Sequence, residues 1–238
     1  MTMAIIAVLF AMLAPALAGT IRSARGFKCQ MAQRSVAFDF QLFVDGQFPG
    51  GRGNDELLPG GRFRLETFQE AQYRIDEFWA WGDAPTQALP DAAGNDPLRC
   101  PEVRGEVVLR RGTPCSAGAV TPPEHVSFSF NMRLHIAEQV DRGGRLRAMP
   151  VYLTESISSA STTPLMWDGN GAVAAARGVT PVFSAPALGS QGIFADDRYW
   201  FPGERHNGAA NYVFIDGHVE TSRRPLHETW QWDAPMVR

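Results

Sequence analysis

The sequence predicts an α+β protein, in which one long N-terminal helix precedes a loop-rich body built mainly on an antiparallel β-sheet. Residues 3–18 carry no charged side chain, and apolar residues then recur at close to helical spacing up to residue 44. Short runs of β-branched and aromatic residues follow, separated by turn residues. The 23 glycines and 17 prolines, 40 of 238 residues, favour a body with many loops.

The N-terminal segment is predicted to be helical, first apolar and then amphipathic. Pro15 and Gly26 are its weak points, and turn residues begin at Asp45. Sixteen apolar residues are short of the roughly 20 that a membrane-spanning helix needs. We expect one long helix over residues 1–45, either a membrane helix whose first turns are absent from this sequence or one completed by the residues that follow, and a globular domain over residues 46–238. A secretory signal peptide that ends at Ala18 is the alternative.

Several strands are predicted in the body. Residues 126–132 alternate between apolar and polar side chains, which indicates a strand with one buried face. Residues 106–110, 147–153 and 163–169 indicate further strands. Residues 171–192 are small and rich in proline and glycine, and we expect them to form a surface excursion.

A β-hairpin is predicted near the C-terminus. Asp216 and Gly217 lie between two strand-like runs and suit a two-residue type I′ turn. That turn would pair Phe214 with Val219 and Tyr212 with Thr221. Tyr212, Phe214 and Val219 would then share the core face, opposite His218 and Glu220.

Charge and cysteine usage limit the functional classes. A net charge of −3 and a pI near 6.0 do not favour nucleic-acid binding. The chain has three cysteines, Cys29, Cys100 and Cys115, and their spacing fits no zinc template. Cys100 and Cys115 flank a predicted strand and could form a disulfide, although the sequence does not choose among the three possible pairings.

No enzyme, metal or cofactor is predicted. There is no phosphate-binding glycine loop, no HExxH motif and no nucleophile elbow. The densest group of acidic and histidine residues in the sequence comprises Asp196, Asp197, Glu204, His206, Asp216 and His218. This group could at most bind a hard cation such as calcium, and only proximity along the chain supports that interpretation. We interpret His206 instead as a residue that holds a loop in place by hydrogen bonding.

Taken together, the two ends of the chain resemble a bacterial family of type IV pilin-like proteins, which has a prepilin-type helix and a C-terminal domain named for its H-X9-DG motif. The motif is His206, nine residues, then Asp216 and Gly217. The apolar run of residues 4–17 is similar to the later part of a prepilin helix, and Cys29-Gln30-Met31-Ala32-Gln33 is similar to the segment after it. The segments around Cys100, residues 127–132 and residues 163–168 occur in the expected order.

The resemblance implies a structural role. It implies a subunit of a type IV pilus-like or type II secretion pseudopilus-like filament, anchored in the inner membrane by its helix, with its body in the periplasm or outside the cell. The expected partners are copies of itself or related pilins and the assembly machinery. His206, Asp216 and Gly217 are expected to be structural. The basic leader, the cleavage site and the early glutamate of prepilins are not in this sequence. We expect that the coding region begins upstream of Met1; the alternative is a protein that prepilin peptidase does not process.

Two other functions remain open at this point. One is a secreted or periplasmic module that binds carbohydrate or a surface through Trp79, Trp81, Trp167 and Trp200. The other is a metal-dependent hydrolase that uses His206 and Asp216. Tryptophans are more often core residues than ligand contacts.

Overall fold

The structure, a computed structural model, describes residues 2–49, 51–52, 58–73, 86–88, 99–103, 108–110 and 126–235. It contains a long helix α1 (Thr2–Val44) and two shorter helices, α2 (Leu65–Tyr73) and α3 (Gly171–Ala176). The strands are β1 (Thr86–Ala88), β2 (Val108–Arg110), β3 (Phe128–Asn131), β4 (Ile136–Val140), β5 (Leu146–Pro150), β6 (Pro164–Asp168), β7 (Phe183–Ser184), β8 (Ala210–Phe214) and β9 (Val219–Ser222).

The central sheet has five strands in the order β7-β3-β6-β8-β9. The pairing of β3 with β7 is parallel, and the other neighbours are antiparallel. Two smaller antiparallel pairs, β1-β2 and β4-β5, complete the described strands. The predicted α+β class, with an N-terminal helix and a mainly antiparallel sheet, is therefore confirmed.

The C-terminal half of α1 packs on the sheet through one face. Its buried residues recur at intervals of three and four, which brings one side of the helix against β6, β8 and β9. The helix ends at Val44, next to the turn residues that predicted its end. The buried residues are Cys29, Gln33, Val36, Ala37, Phe40, Phe43 and Val44.

The earlier part of α1 contrasts with this half. The side chains of residues 11–15 and 17–25 are all exposed, so burial against the body begins near Gly26. Several of these exposed side chains are large and apolar, including Met12, Leu13 and Leu17. The whole helix of 43 residues is about 65 Å long.

Within the residues that the structure describes, we find no helix that combines the length and the apolarity needed to cross a membrane.

A cluster of phenylalanines joins α1 to α2 and the sheet. Phe68 of α2 lies with its ring centroid 5.2 Å from that of Phe40 and 5.5 Å from that of Phe43, both in edge-on contact. Phe63 contacts the same two rings, and Phe68 reaches Phe130 of β3. Such edge-on pairs add to the stabilisation from burial alone. The end of α1 is thus held by aromatic packing.

The opposite face of the sheet carries a second core. Trp167 of β6 and Tyr212 of β8 pair in register, and Trp232 of the C-terminal segment packs on both. Because both faces are covered, the strand at residues 126–132 has no exposed face, and the prediction of a single buried face was wrong. Ser129 and Asn131, polar members of the alternation, are buried and donate to Pro181 O (2.6 Å) and Trp232 O (2.8 Å).

Residues 171–192 also differ from the prediction of a surface excursion. They form α3 and the strand β7, and Val182, Phe183 and Ala185 are buried. Phe130 N donates to Val182 O across the parallel pairing. The apolar residues Val182 and Phe183 place this segment against β3, so its proline and glycine content alone misidentified it.

The C-terminal hairpin forms, but its register differs by one residue from the predicted one. Val213 pairs with Val219, and Tyr212 pairs with Glu220. Gly217 N donates to Phe214 O, and Phe214 N donates to His218 O, each at 2.9 Å. The loop therefore has three residues and ends in Gly217, whose φ of +89° lies in the left-handed region.

Ile215 explains the longer loop. Its side chain is fully buried, and its N–H donates to Thr163 O at 3.2 Å, so it is held by the core rather than by the hairpin partner. A one-residue shift moves side chains to the other face. His218 accordingly stacks on Phe214 with 4.2 Å between ring centroids. Tyr212 and Phe214 share a buried face as predicted, but Val219 lies on the other face with Val213, and the predicted placement of Val219, His218 and Glu220 was wrong.

Replacing Asp39 with asparagine is expected to weaken the pH dependence of stability. Burial raises the pKa of the Asp39 carboxyl, although Gln72 Nε2 donates to it at 2.8 Å. A raised pKa in the folded state means that stability falls as the pH rises above the ordinary aspartate value of 3.8. Asparagine keeps an acceptor for Gln72 and cannot ionise, so Asp39→Asn should lose less stability over that range. Urea denaturation at several pH values measures this.

Gln72→Ala provides the opposite comparison for Asp39. It removes the donor that favours the ionised carboxylate, so stability should fall more steeply with rising pH than in the wild type. Wild-type behaviour in both variants would contradict the role given to Asp39.

Candidate metal centre

Four side chains from separate parts of the chain meet where α1 crosses the sheet. Cys29, Cys100, Asp168 and His206 each offer one ligand atom, and these atoms all lie within 4.8 Å of one another. Cys29, Cys100 and Asp168 are fully buried, and the His206 side chain is 10% exposed. We call these four residues the Cys2AspHis cluster.

Cys29 enters the cluster from the buried face of α1. Its Sγ lies 3.3 Å from Asp168 Oδ1 and 3.2 Å from His206 Nε2. Gln33, one turn further along the helix, donates from Nε2 to the same Asp168 oxygen at 3.1 Å. The helical spacing of four residues therefore aims both side chains at one carboxylate.

Two hydrogen bonds hold the backbone of Cys100 in place. Its N–H donates to Ser127 Oγ, and its C=O accepts from Val103 N at 2.9 Å. Its Sγ lies 3.7 Å from His206 Nε2. The sulfur is thus directed at the imidazole that also faces Cys29.

A tight turn positions His206. His206 and Ala209 exchange both backbone hydrogen bonds, at 3.0 and 3.2 Å, around Asn207 and Gly208. Both central residues have positive φ, +58° and +75°, as a type I′ turn demands. Asn-Gly, like Asp-Gly, is a strong sequence signal for this turn, and this turn was not predicted.

Asp168, the last residue of β6, is the hub of the cluster. Its Oδ2 accepts from Asn211 N at 2.8 Å and lies 3.2 Å from His206 Nε2. Its Oδ1 accepts from Arg205 Nη2 at 3.1 Å. Arg205 also donates to Gly169 O and Ser127 O, so a guanidinium closes the centre on one side.

The environment of the cluster shifts the pKa values of its members. A hydrogen bond to Cys100, and then burial, raises the pKa of the Cys29 thiol. The same hydrogen bond, supported by His206, lowers the pKa of Cys100 to about 5. The hydrogen bond to Asp168, with that to Cys100, raises the pKa of His206 to about 10. Without a metal ion, the group therefore favours a thiolate at Cys100 beside a protonated imidazole.

The residues singled out from sequence are separated by the fold. His206 belongs to the Cys2AspHis cluster, whereas Asp216 lies in the exposed hairpin loop and contacts His218 Nδ1 at 2.5 Å. Gly217 has its positive φ in that loop. Asp196 and Asp197 lie in a short turn at residues 195–197, and Asp197 Oδ1 accepts from Ala187 N. The structure therefore does not unite His206 and Asp216 in one hydrolytic site.

The suggested Cys100–Cys115 disulfide stays a prediction, because Cys115 lies outside the described residues. The same holds for Trp79 and Trp81, two of the four proposed carbohydrate contacts. The third, Trp167, is fully buried, and Trp200 packs against it at 5.8 Å between ring centroids. These two tryptophans belong to the second core.

Sequence reasoning missed Cys29 and Asp168 as members of a centre. The burial of Cys29 could have been predicted, because it is the first residue of the buried face of α1 and the polar Gln33 lies on the same face one turn later. Asp168 directly precedes Gly169 and suggested only a turn.

No family model matches the chain, and neither curated proteins nor solved structures yield a match to it.

Proposed function

We propose that the protein is a structural, non-enzymatic subunit of a filament of the type IV pilus-like or type II secretion pseudopilus-like class, assembled through α1. One observation carries the proposal. Helix α1 has two apolar sides, one buried on the body and one exposed. The exposed side includes Leu13, Leu17 and Phe27, which are 61–65% exposed.

Helical geometry separates these two sides. At about 100° per residue, the buried residues Cys29, Val36 and Phe40 fall on one side of α1. Most of the exposed large apolar residues fall on the opposite side, namely Leu13, Leu17, Phe27, Met31 and Phe38, whereas Met12 and Ile21 lie between the two sides. An apolar side that faces away from its own body is typical of a helix with a second partner.

The partner we propose is α1 of other copies of the chain. Apolar side chains in residues 3–18 are not confined to one stripe, since no charged residue interrupts that run. A helix that is apolar all round requires burial in lipid or among other helices. We propose that α1 is held in the inner membrane before assembly and lies in the filament core afterwards, with the body in the periplasm or at the filament surface.

Leu17→Arg is expected to abolish filament formation while leaving the body folded. Leu17 is 61% exposed in the single chain, so the substitution costs little there. Among packed helices it would bury an unpaired guanidinium, at a cost of several kcal/mol per contact. Sedimentation and electron microscopy of the purified full chain measure assembly, and circular dichroism checks the fold.

The control is the same substitution on the body. Leu226 is 48% exposed, and Leu226→Arg should assemble like the wild type. Filaments formed equally well by Leu17→Arg would contradict the proposal. So would a wild-type chain that stays soluble and monomeric.

A further inference from the structure

We propose that Cys29, Cys100, Asp168 and His206 bind one Zn²⁺ ion, which fastens α1 to the body. The inference rests on the geometry of these four side chains and is independent of filament assembly. The four ligand atoms come from α1, from the segment around residue 100, from the end of β6 and from the turn before β8. A metal ion here would join parts of the chain that are far apart in sequence.

The distances within the cluster match those of a tetrahedral zinc site. Zinc bonds of about 2.0 to 2.3 Å at tetrahedral angles place neighbouring ligand atoms about 3.3 to 3.8 Å apart. Cys29 Sγ lies 3.2 Å from His206 Nε2 and 3.3 Å from Asp168 Oδ1. Nε2 of His206 lies 3.7 Å from Cys100 Sγ and 3.2 Å from Asp168 Oδ2. These four separations, two of which involve different oxygens of Asp168, are close to the required values, and the four ligand atoms all lie within 4.8 Å of one another.

The charges also suit a divalent ion. Two thiolates, one carboxylate and a neutral imidazole carry −3, so Zn²⁺ leaves a net charge of −1. Arg205 Nη2, 3.1 Å from Asp168 Oδ1, supplies the balancing positive charge. A buried centre of zero net charge avoids the cost of an uncompensated ion.

The surrounding groups resemble the outer contacts of a zinc site. Metal-bound carboxylates are held by further hydrogen bonds, and Asp168 accepts from Gln33 Nε2 and Asn211 N. Metal-bound histidines direct their other ring nitrogen to a carboxylate or carbonyl, and the nearest carboxylate oxygen to Nδ1 of His206 among the described residues, Glu102 Oε1, lies 3.8 Å away, beyond hydrogen-bond distance. The contacts of Nε2 with Cys29 Sγ and Cys100 Sγ show that this nitrogen faces the two sulfurs.

The ligand set selects the metal and its role. Thiolate and imidazole ligands favour zinc over calcium or magnesium, which take oxygen ligands. Four protein ligands, three of them fully buried, complete a tetrahedron and leave no open position for water or substrate. Such closed sites are structural rather than catalytic.

Zn²⁺ binding by the reduced full chain tests the proposal. The protein is prepared with a chelator and a reductant, passed into metal-free buffer, and titrated with Zn²⁺ against a competing chelator. We expect one Zn²⁺ per chain, and Co²⁺ in its place should give the spectrum of a tetrahedral ion with thiolate ligands. Cys29→Ser and His206→Ala should each weaken Zn²⁺ binding by more than about 100-fold, beyond the loss typical of outer-contact residues.

Matched controls separate the site from general thiol and imidazole binding. His218 contacts Asp216 and Glu220 in the hairpin, so His218→Gln should bind Zn²⁺ like the wild type. Cys115→Ser should do the same. Zn²⁺ should also slow the alkylation of Cys29 and Cys100 in the wild-type chain relative to the zinc-free wild-type chain, a readout that holds even if a ligand variant fails to fold.

Two results would overturn the zinc site. One is a reduced wild-type chain that binds no more Zn²⁺ than Cys29→Ser. The other is a Cys100 that forms a disulfide with Cys29 or Cys115 and remains unreactive to alkylation until reductant is added, because zinc needs the Cys100 thiolate. A chain that binds Zn²⁺ but forms no filaments would contradict the proposed filament function and leave the zinc site standing.

Discussion

Asp168→Ala is expected to lower the free energy of unfolding by about 3 to 5 kcal/mol, the cost of breaking a buried ion pair by removing one partner. The carboxylate is fully buried and accepts from Arg205, Gln33 and Asn211 N. Alanine would leave the guanidinium without its anion. It would also leave the Asn211 N–H inside the protein without an acceptor, and an unsatisfied buried donor adds about 1 to 3 kcal/mol by itself.

The expected loss in the free energy of unfolding applies to the metal-free protein. It is therefore measured by urea denaturation in the presence of a chelator and a reductant. Asp233→Ala is the matched control. Asp233 pairs with Arg133 at 3.0 Å, but the Asp233 side chain is 71% exposed. The buried Arg133 guanidinium also donates to Pro186 O and Ala187 O, and these hydrogen bonds remain after the substitution. We therefore expect a loss of at most about 1 kcal/mol. Equal losses in the two variants would show that Asp168 does not act as the hub of a buried network.

The long helix could be predicted because its signal is local. The alternation of buried and exposed positions from Cys29 to Val44 follows the period of 3.6 residues, and nothing distant is needed to see it. The hairpin shows where local reasoning fails. Asp216 and Gly217 suit either a two-residue or a three-residue loop. The loop has three residues because Ile215 is buried in the core and its N–H donates to Thr163 O, and neither contact is visible in the local sequence.

The Cys2AspHis cluster could not be predicted for a different reason. Zinc templates in sequence rely on ligands a few residues apart, whereas these four residues lie in four separate segments. Only the packing of α1 across β6 and β8 brings Cys29 to Asp168 and His206. His206 was singled out from the H-X9-DG spacing, but its partners are not the Asp216 and Gly217 of that spacing.

Phe40→Ala is expected to lower the free energy of unfolding by about 3 to 5 kcal/mol, the usual cost of removing a fully buried phenylalanine. Phe40 is fully buried on α1 and makes edge-on contacts with Phe63 and Phe68, at 6.3 and 5.2 Å between ring centroids. Its removal would open a cavity among rings that belong to α1, to α2 and to the segment between them. The attachment of α1 to the body should therefore weaken, as seen in faster hydrogen exchange of residues 36–44.

Phe38→Ala is the matched comparison, since the same side chain lies two residues earlier on the same helix but is 58% exposed. A surface substitution of this kind should change stability by no more than about 0.5 kcal/mol. If the exposed side of α1 packs against other copies, Phe38→Ala should impair assembly while the single chain stays stable, and Phe40→Ala should destabilise the single chain first. Reversed outcomes would mean that the buried and exposed sides of α1 have been assigned wrongly. The pair therefore separates the contacts that hold α1 to its own body from those proposed to hold it to its neighbours.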